Sequence, residues 1–162
     1  MKKNLRLLPF FFVTLTMISC KKQAFNGLSD VRPAVPVTAT NAIDYRPEPT
    51  VAASISGGGA IQITLAIPAG TGRTMKEITK VAASTTYTQI QSTGTTGFYT
   101  SAPIPVNSTT YTFNTSLSEY VVKGPGTIPG AGAELAKRFY FLITLDDGSV
   151  VIPESVRVLV TN

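Results

Sequence analysis

The chain of 162 residues contains no histidine and no tryptophan, and it has a single cysteine, Cys20. Without histidine, every Ser-His-Asp or Cys-His nucleophilic arrangement is excluded, and so are zinc, copper and iron sites built on imidazole. One cysteine cannot close an internal disulfide, so stability has to come from packing. The missing tryptophan removes the largest stacking platform for a sugar ring and leaves that role to tyrosine and phenylalanine. The formal net charge of +5 is concentrated at the N-terminus, in Lys2, Lys3, Arg6, Lys21 and Lys22. Beyond them the remaining basic residues balance the nine acidic ones. Such a body lacks the positive field that carries nonspecific nucleic-acid affinity, and no nucleic-acid partner is expected.

What is present begins with a targeting segment. Lys2, Lys3 and Arg6 precede an apolar run over residues 7–15 that is too short to span a bilayer and has the charge order of a signal peptide. The run ends in Met17-Ile18-Ser19-Cys20, which resembles the lipobox of bacterial lipoproteins, where small residues precede the cysteine that receives diacylglycerol. The resemblance implies cleavage after residue 19, lipidation of Cys20, and membrane lipid as the partner held through the acylated thiol. The competing reading is an ordinary secretory peptide with an incidental cysteine. It is disfavoured because the sole cysteine sits at the cleavage position.

Residues 20–48 are expected to form the lipidated cysteine and an irregular tether, punctuated by Pro33, Pro36 and Pro47, with Pro49 just beyond. At ~3.3 Å per residue a fully stretched tether of this length reaches ~90 Å. The alternative is that part of it, Val35-Pro36-Val37 or Ala42-Ile43, packs on the domain as an edge strand. Residues 49–162 are expected to form one domain, a length that supports a single hydrophobic core.

That domain reads as all-β. Val51, Ala53 and Ile55 alternate ahead of Gly57-Gly58-Gly59, and Ile61, Ile63, Leu65 and Ile67 alternate with polar or small residues up to Pro68. Residues 74–83 mix Lys76, Glu77 and Lys80 with Met75, Ile78 and Val81, as a strand with one solvated face would. A shorter strand is expected at residues 87–91. Tyr111, Phe113, Thr115 and Leu117 mark the inner face of another. The Gly/Pro-rich stretch at residues 124–132 reads as a long connection, with one helical turn expected over residues 133–137. Phe139, Phe141, Ile143 and Leu145 form the inner face of a strand that turns at Asp146-Asp147-Gly148-Ser149 and returns through residue 161. Pro153 interrupts the returning strand and predicts an edge or a bulge there.

About seven strands with a Gly/Pro-rich crossover and a closing hairpin predict a Greek-key β-sandwich. In spacing, the strand order resembles immunoglobulin-like and fibronectin type III-like domains, without the paired cysteines and tryptophan of antibody domains. Together with Ser19-Cys20-Lys21-Lys22 and the closing Phe139-Tyr140-Phe141-Leu142-Ile143-Thr144-Leu145-Asp146-Asp147-Gly148, the chain resembles small outer-membrane lipoproteins of Bacteroidota-type bacteria, some of which accompany glycan-uptake machinery. The resemblance implies lipid anchoring at the outer membrane, and a glycan or an envelope protein as partner. Lys21-Lys22-Gln23-Ala24 lacks the acidic cluster that the same group associates with export to the outer face, so a periplasmic and a surface-facing position both stay open.

Residues able to carry chemistry are sparse. Asp146-Asp147-Gly148 could recruit calcium, but tight hairpin geometry explains the same residues and no EF-hand spacing accompanies them, so no metal or other cofactor is expected. Gly57-Gly58-Gly59 leads into a strand and opens no helix, which excludes a phosphate cradle. Glu77, Glu119, Glu134 and Glu154 share no motif that would pair two carboxylates for glycoside hydrolysis, and no enzyme is expected. Tyr87, Phe98, Tyr99 and Tyr120 fall at strand ends or in loops, where exposed rings stack on a sugar or a partner, and they are the candidate binding residues. The reading is a non-enzymatic, lipid-anchored binding or accessory module, and the runner-up is a structural or adhesive envelope component without a soluble ligand.

Overall fold

The structure, a computed structural model, describes residues 33–100, 102–124 and 126–162. Cys20 and the signal-peptide segment lie outside the described residues. Residues 33–162 form one compact unit. It is all-β with two short helices. In chain order the elements are β1 (Thr38–Ala39), β2 (Thr50–Ser54), β3 (Ala60–Ala66), β4 (Met75–Ser84), α1 (Thr88–Gln91), β5 (Ile104–Ser108), β6 (Thr110–Ser116), α2 (Leu117–Lys123), β7 (Arg138–Leu145), β8 (Val150–Val151) and β9 (Arg157–Thr161).

One sheet has the order β1-β3-β6 and another β5-β4-β7-β8, while β2 and β9 pair in parallel. Single bridges tie Val156, just before β9, to Phe139 of β7, and Leu159 of β9 to Glu134 in the chain ahead of β7. The alternation expected for β3 is met residue by residue, and the expected inner face of β7 is buried, as is Tyr140 on its other face. Ile61, Ile63 and Leu65 are fully buried, and so are Phe139, Phe141 and Ile143. Side chains on the two faces of a strand differ in environment because successive Cβ atoms point to opposite sides. The inner faces converge on a cluster of interlocked rings: Tyr99 packs on Phe139 at 5.2 Å, Phe113 on Phe141 at 5.5 Å and Tyr120 on Phe139 at 6.2 Å.

Nine strands are present among the described residues where about seven were expected, and each difference has a local cause. β1 lies inside the segment expected to be tether: Thr38 pairs with Ala66 and Ala39 with Leu65, and Val37 and Ala39 are buried. The edge-strand alternative for that segment is therefore closer, although the pairing residues are 38 and 39 and Ile43 is 61% exposed. β5 contains Pro105, which hid it from the strand pattern; it occupies a sheet edge, where a missing N–H costs no ladder bond. The last strand divides into β8 and β9 around Pro153: β8 is the edge of the four-stranded sheet, as the proline led one to expect, and β9 pairs with β2 in a two-stranded one.

Two local expectations are corrected. Residues 87–91 form no strand; Thr88–Gln91 is a single helical turn whose Ile90 is buried against Ala82 and Tyr140. This turn covers the end of the β4 face expected to be solvated, so that face is wet only nearer Lys76 and Lys80. Residues 133–137 form no helical turn. The helix lies earlier, at α2, where the Ser116 side chain accepts a hydrogen bond from the Glu119 amide at 3.1 Å. Ser116-Leu117-Ser118-Glu119 is the start of a capping-box pattern, and the strand pattern running straight into it concealed it.

Candidate functional site

The four candidate rings separate into two buried and two accessible ones. Tyr120 is fully buried, and its hydroxyl accepts a hydrogen bond from the Lys137 amide at 3.0 Å. Tyr99 is 4% exposed. The Thr115 hydroxyl donates to Glu119 Oε2 at 2.7 Å, so at the 2.6 Å contact between Tyr99 and Thr115 it is the tyrosine that donates. Burial pushes both phenols above the ordinary tyrosine range. Hydrogen bonds from Thr115 and Lys123 hold the Glu119 carboxyl below its usual range. Tyr99 and Tyr120 are thus core rings with satisfied polar ends.

Phe98 is half-buried, and the Lys80 ammonium sits 4.6 Å from its ring centre while donating to the carbonyls of Ser92 and Gly94. It borders a recess of about 560 Å³ that also touches Thr100, Ile104 and Lys123. Although this is the larger of the two recesses, its one accessible ring is already covered by a cation.

Tyr87 is different. It is 43% exposed and packs edge-on against Tyr140, with ring centres 5.8 Å apart and planes at 78°. The residue stands just before α1, in the loop that leaves β4. Partial burial raises its phenol above the ordinary range, and the neighbouring Tyr140 adds to this. It lines a recess of about 490 Å³ whose other walls come from Glu48, Arg138, Ile152, Glu154 and Ser155, among others. Arg138, the first residue of β7, points its Nε at Glu48 Oε2 (3.0 Å) and donates from Nη1 to Glu48 Oε1 (3.2 Å). The Ser155 hydroxyl donates to the same Oε1 at 2.6 Å. Oε2 has no aligned hydrogen bond, but the guanidinium charge beside it compensates the buried atom.

Sequence reasoning named Tyr87 but not Glu48, Arg138 or Ser155, and it named Glu154 only among scattered carboxylates. No local pattern could have gathered them, because the recess is assembled from four separated stretches of chain. The Pro153 interruption was the nearest signal: by breaking the strand between β8 and β9 it turns Glu154 and Ser155 toward Arg138.

Four other carboxylates are engaged in ion pairs. Arg73 pairs with both Asp146 and Asp147, Arg157 with Glu134, and Lys123 with Glu119. Among the described residues no group of three or more His, Cys, Asp or Glu side chains stands ready to hold a metal ion.

β1 lies toward the opposite end of the sheets from this recess. β1 meets β3 at Ala66, the end at which Ile67, Thr109 and Met75 also gather, whereas the recess sits where β4 finishes at Ser84 and β7 begins at Arg138. Comparison with family models, with curated proteins and with solved structures found no match to this chain.

Proposed function

We propose that the chain is a non-enzymatic, lipid-anchored binding or accessory module of the bacterial outer membrane, with an immunoglobulin-like Greek-key sandwich as its folded part. The observation that carries the binding role is the recess beside Tyr87, where an exposed ring held by its neighbour meets a fixed guanidinium–carboxylate pair. The sandwich reading is supported by the β1-β3-β6 and β5-β4-β7-β8 sheets, whose inner faces share one core, and by the parallel pairing of β2 with the final strand.

Anchoring rests on the lipobox-like Met17-Ile18-Ser19-Cys20, with diacylglycerol on the only thiol of the chain. Two or more acyl chains give stable attachment where one gives reversible binding. Within the recess Glu48 is committed to Arg138 and Ser155, and Glu154 is the one carboxylate with no such partner among the described residues.

The test uses the full-length protein, wild type and Tyr87→Ala, immobilised and washed with solubilised envelope glycans and envelope proteins. Retention of a defined component by the wild type and its loss in Tyr87→Ala supports the reading. Equal retention by both, or none by either, contradicts it and leaves the structural or adhesive role. Cys20→Ser tests the anchor separately, by moving the protein from the membrane to the soluble fraction.

A further inference from the structure

The recess beside Tyr87 combines an apolar platform with a fork of donors and a free acceptor, and its charge decides between classes of ligand. We propose that it is a subsite for one neutral sugar residue of a glycan, an assignment that rests on the binding-module reading above. The Tyr87 ring is fixed edge-on by Tyr140, so its uncovered face is a rigid apolar surface at little cost in conformational entropy. The flat C–H face of a pyranose matches such a surface.

The polar rim complements the hydroxyls of the same ring. A guanidinium carries five N–H donors in a planar fork. Glu48 engages Nε and one donor of Nη1, which leaves the rest of the Arg138 fork for two neighbouring sugar oxygens. Ser155 holds Glu48 in place by donating to it, so the fork is pre-oriented before any ligand arrives. Glu154 is exposed and makes no ion pair among the described residues, and its carboxylate accepts from a sugar hydroxyl.

Electrostatics select against acidic sugars. Glu48 neutralises Arg138, and Glu154 then gives the recess a net negative charge. A uronate would bring a second carboxylate to a cation that is already paired, whereas a neutral sugar brings groups that both donate and accept. Size agrees, since about 490 Å³ falls within the range of ~300–1,000 Å³ common to small-molecule sites.

The experiment is calorimetric titration of the full-length protein in detergent with two probes: neutral gluco-, manno- and galacto-configured oligosaccharides, and uronate-terminated oligosaccharides. Neutral probes should bind the wild type, and binding should weaken about tenfold in Tyr87→Ala, the scale of one lost aromatic contact. Glu154→Gln should narrow the gap between neutral and acidic probes. Both substitutions are at exposed positions and leave the core intact. Preference for the acidic probe, lost in Tyr87→Ala, overturns the neutral-sugar assignment while the binding-module reading stands. No binding of either probe at millimolar concentration overturns the sugar assignment outright, and retention of envelope components on wild type and Tyr87→Ala then judges the wider reading independently.

Discussion

Gly126 lies against the ring of Tyr120, and a Cβ added there would stand 2.8 Å from Cε1 and 2.9 Å from the phenol oxygen. The ring is fully buried and bonded to the Lys137 amide, so it cannot step aside. Gly126→Ala should therefore destabilise the domain by about 1–3 kcal/mol, the usual cost of overpacking. Gly130, in the same connection, has open space around its Cβ position, and Gly130→Ala should be neutral or slightly stabilising. Denaturant midpoints of the two variants measure the difference. Tyr99 and Tyr120 make a second residue-scale test. Their folded-state phenols are raised, first of all by burial, so the stability this represents is fully present below the ordinary tyrosine range and is lost as pH rises through the raised values. In an alkaline titration the phenolate absorbance of Tyr99 and Tyr120 should appear together with unfolding. Ionisation of every tyrosine in the ordinary range while the fold persists would contradict the burial described for them.

At the scale of elements, β7 carries the sharpest test of register. Phe141 is fully buried, and Phe141→Ala should cost about 3–5 kcal/mol. Thr144, on the opposite face, shares a 2.6 Å hydrogen bond with Thr79 of β4, and Thr144→Ala should cost about 1 kcal/mol. The reverse ranking would mean a register wrong by one residue. β3, β6 and β7 were legible in the sequence because each buries a face of mostly apolar side chains at a period of two; in β7 Tyr140 of the other face is buried as well, beside Ile90 of α1. α2 was not, since Leu117 continues the inner-face alternation of β6 and the helix begins only where the Ser116 cap turns the chain. β1 and β5 were missed because prolines flank or occupy them and their pairing partners are remote in sequence. Of the candidate site, Tyr87 was legible as a ring beside a loop. Tyr99 and Tyr120 looked the same by position, and only tertiary packing separates a ring that closes the core from one that faces solvent.

At the scale of the whole molecule, the charge balance read from the sequence resolves into local pairs, and those pairs bear on metal binding. Arg73 reaches across from the β3–β4 connection to Asp146 and Asp147, so the one acidic dipeptide already has its counter-charge. Chelators should leave the melting temperature unchanged. A cation that binds only the native state at ~100 times its Kd would add ~2.7 kcal/mol. A calcium-dependent rise abolished by replacing both aspartates with asparagine would contradict the hairpin explanation.

The account as a whole turns on where a ligand sits. Titrating isotopically labelled full-length protein in detergent with the neutral oligosaccharides, and following its amide resonances, addresses this most directly. Shifts should gather at residues 84–87, 138–140 and 152–155, around Tyr87 and Arg138. Shifts gathered instead at residues 95–104 around Phe98, or no shifts at all, would contradict it.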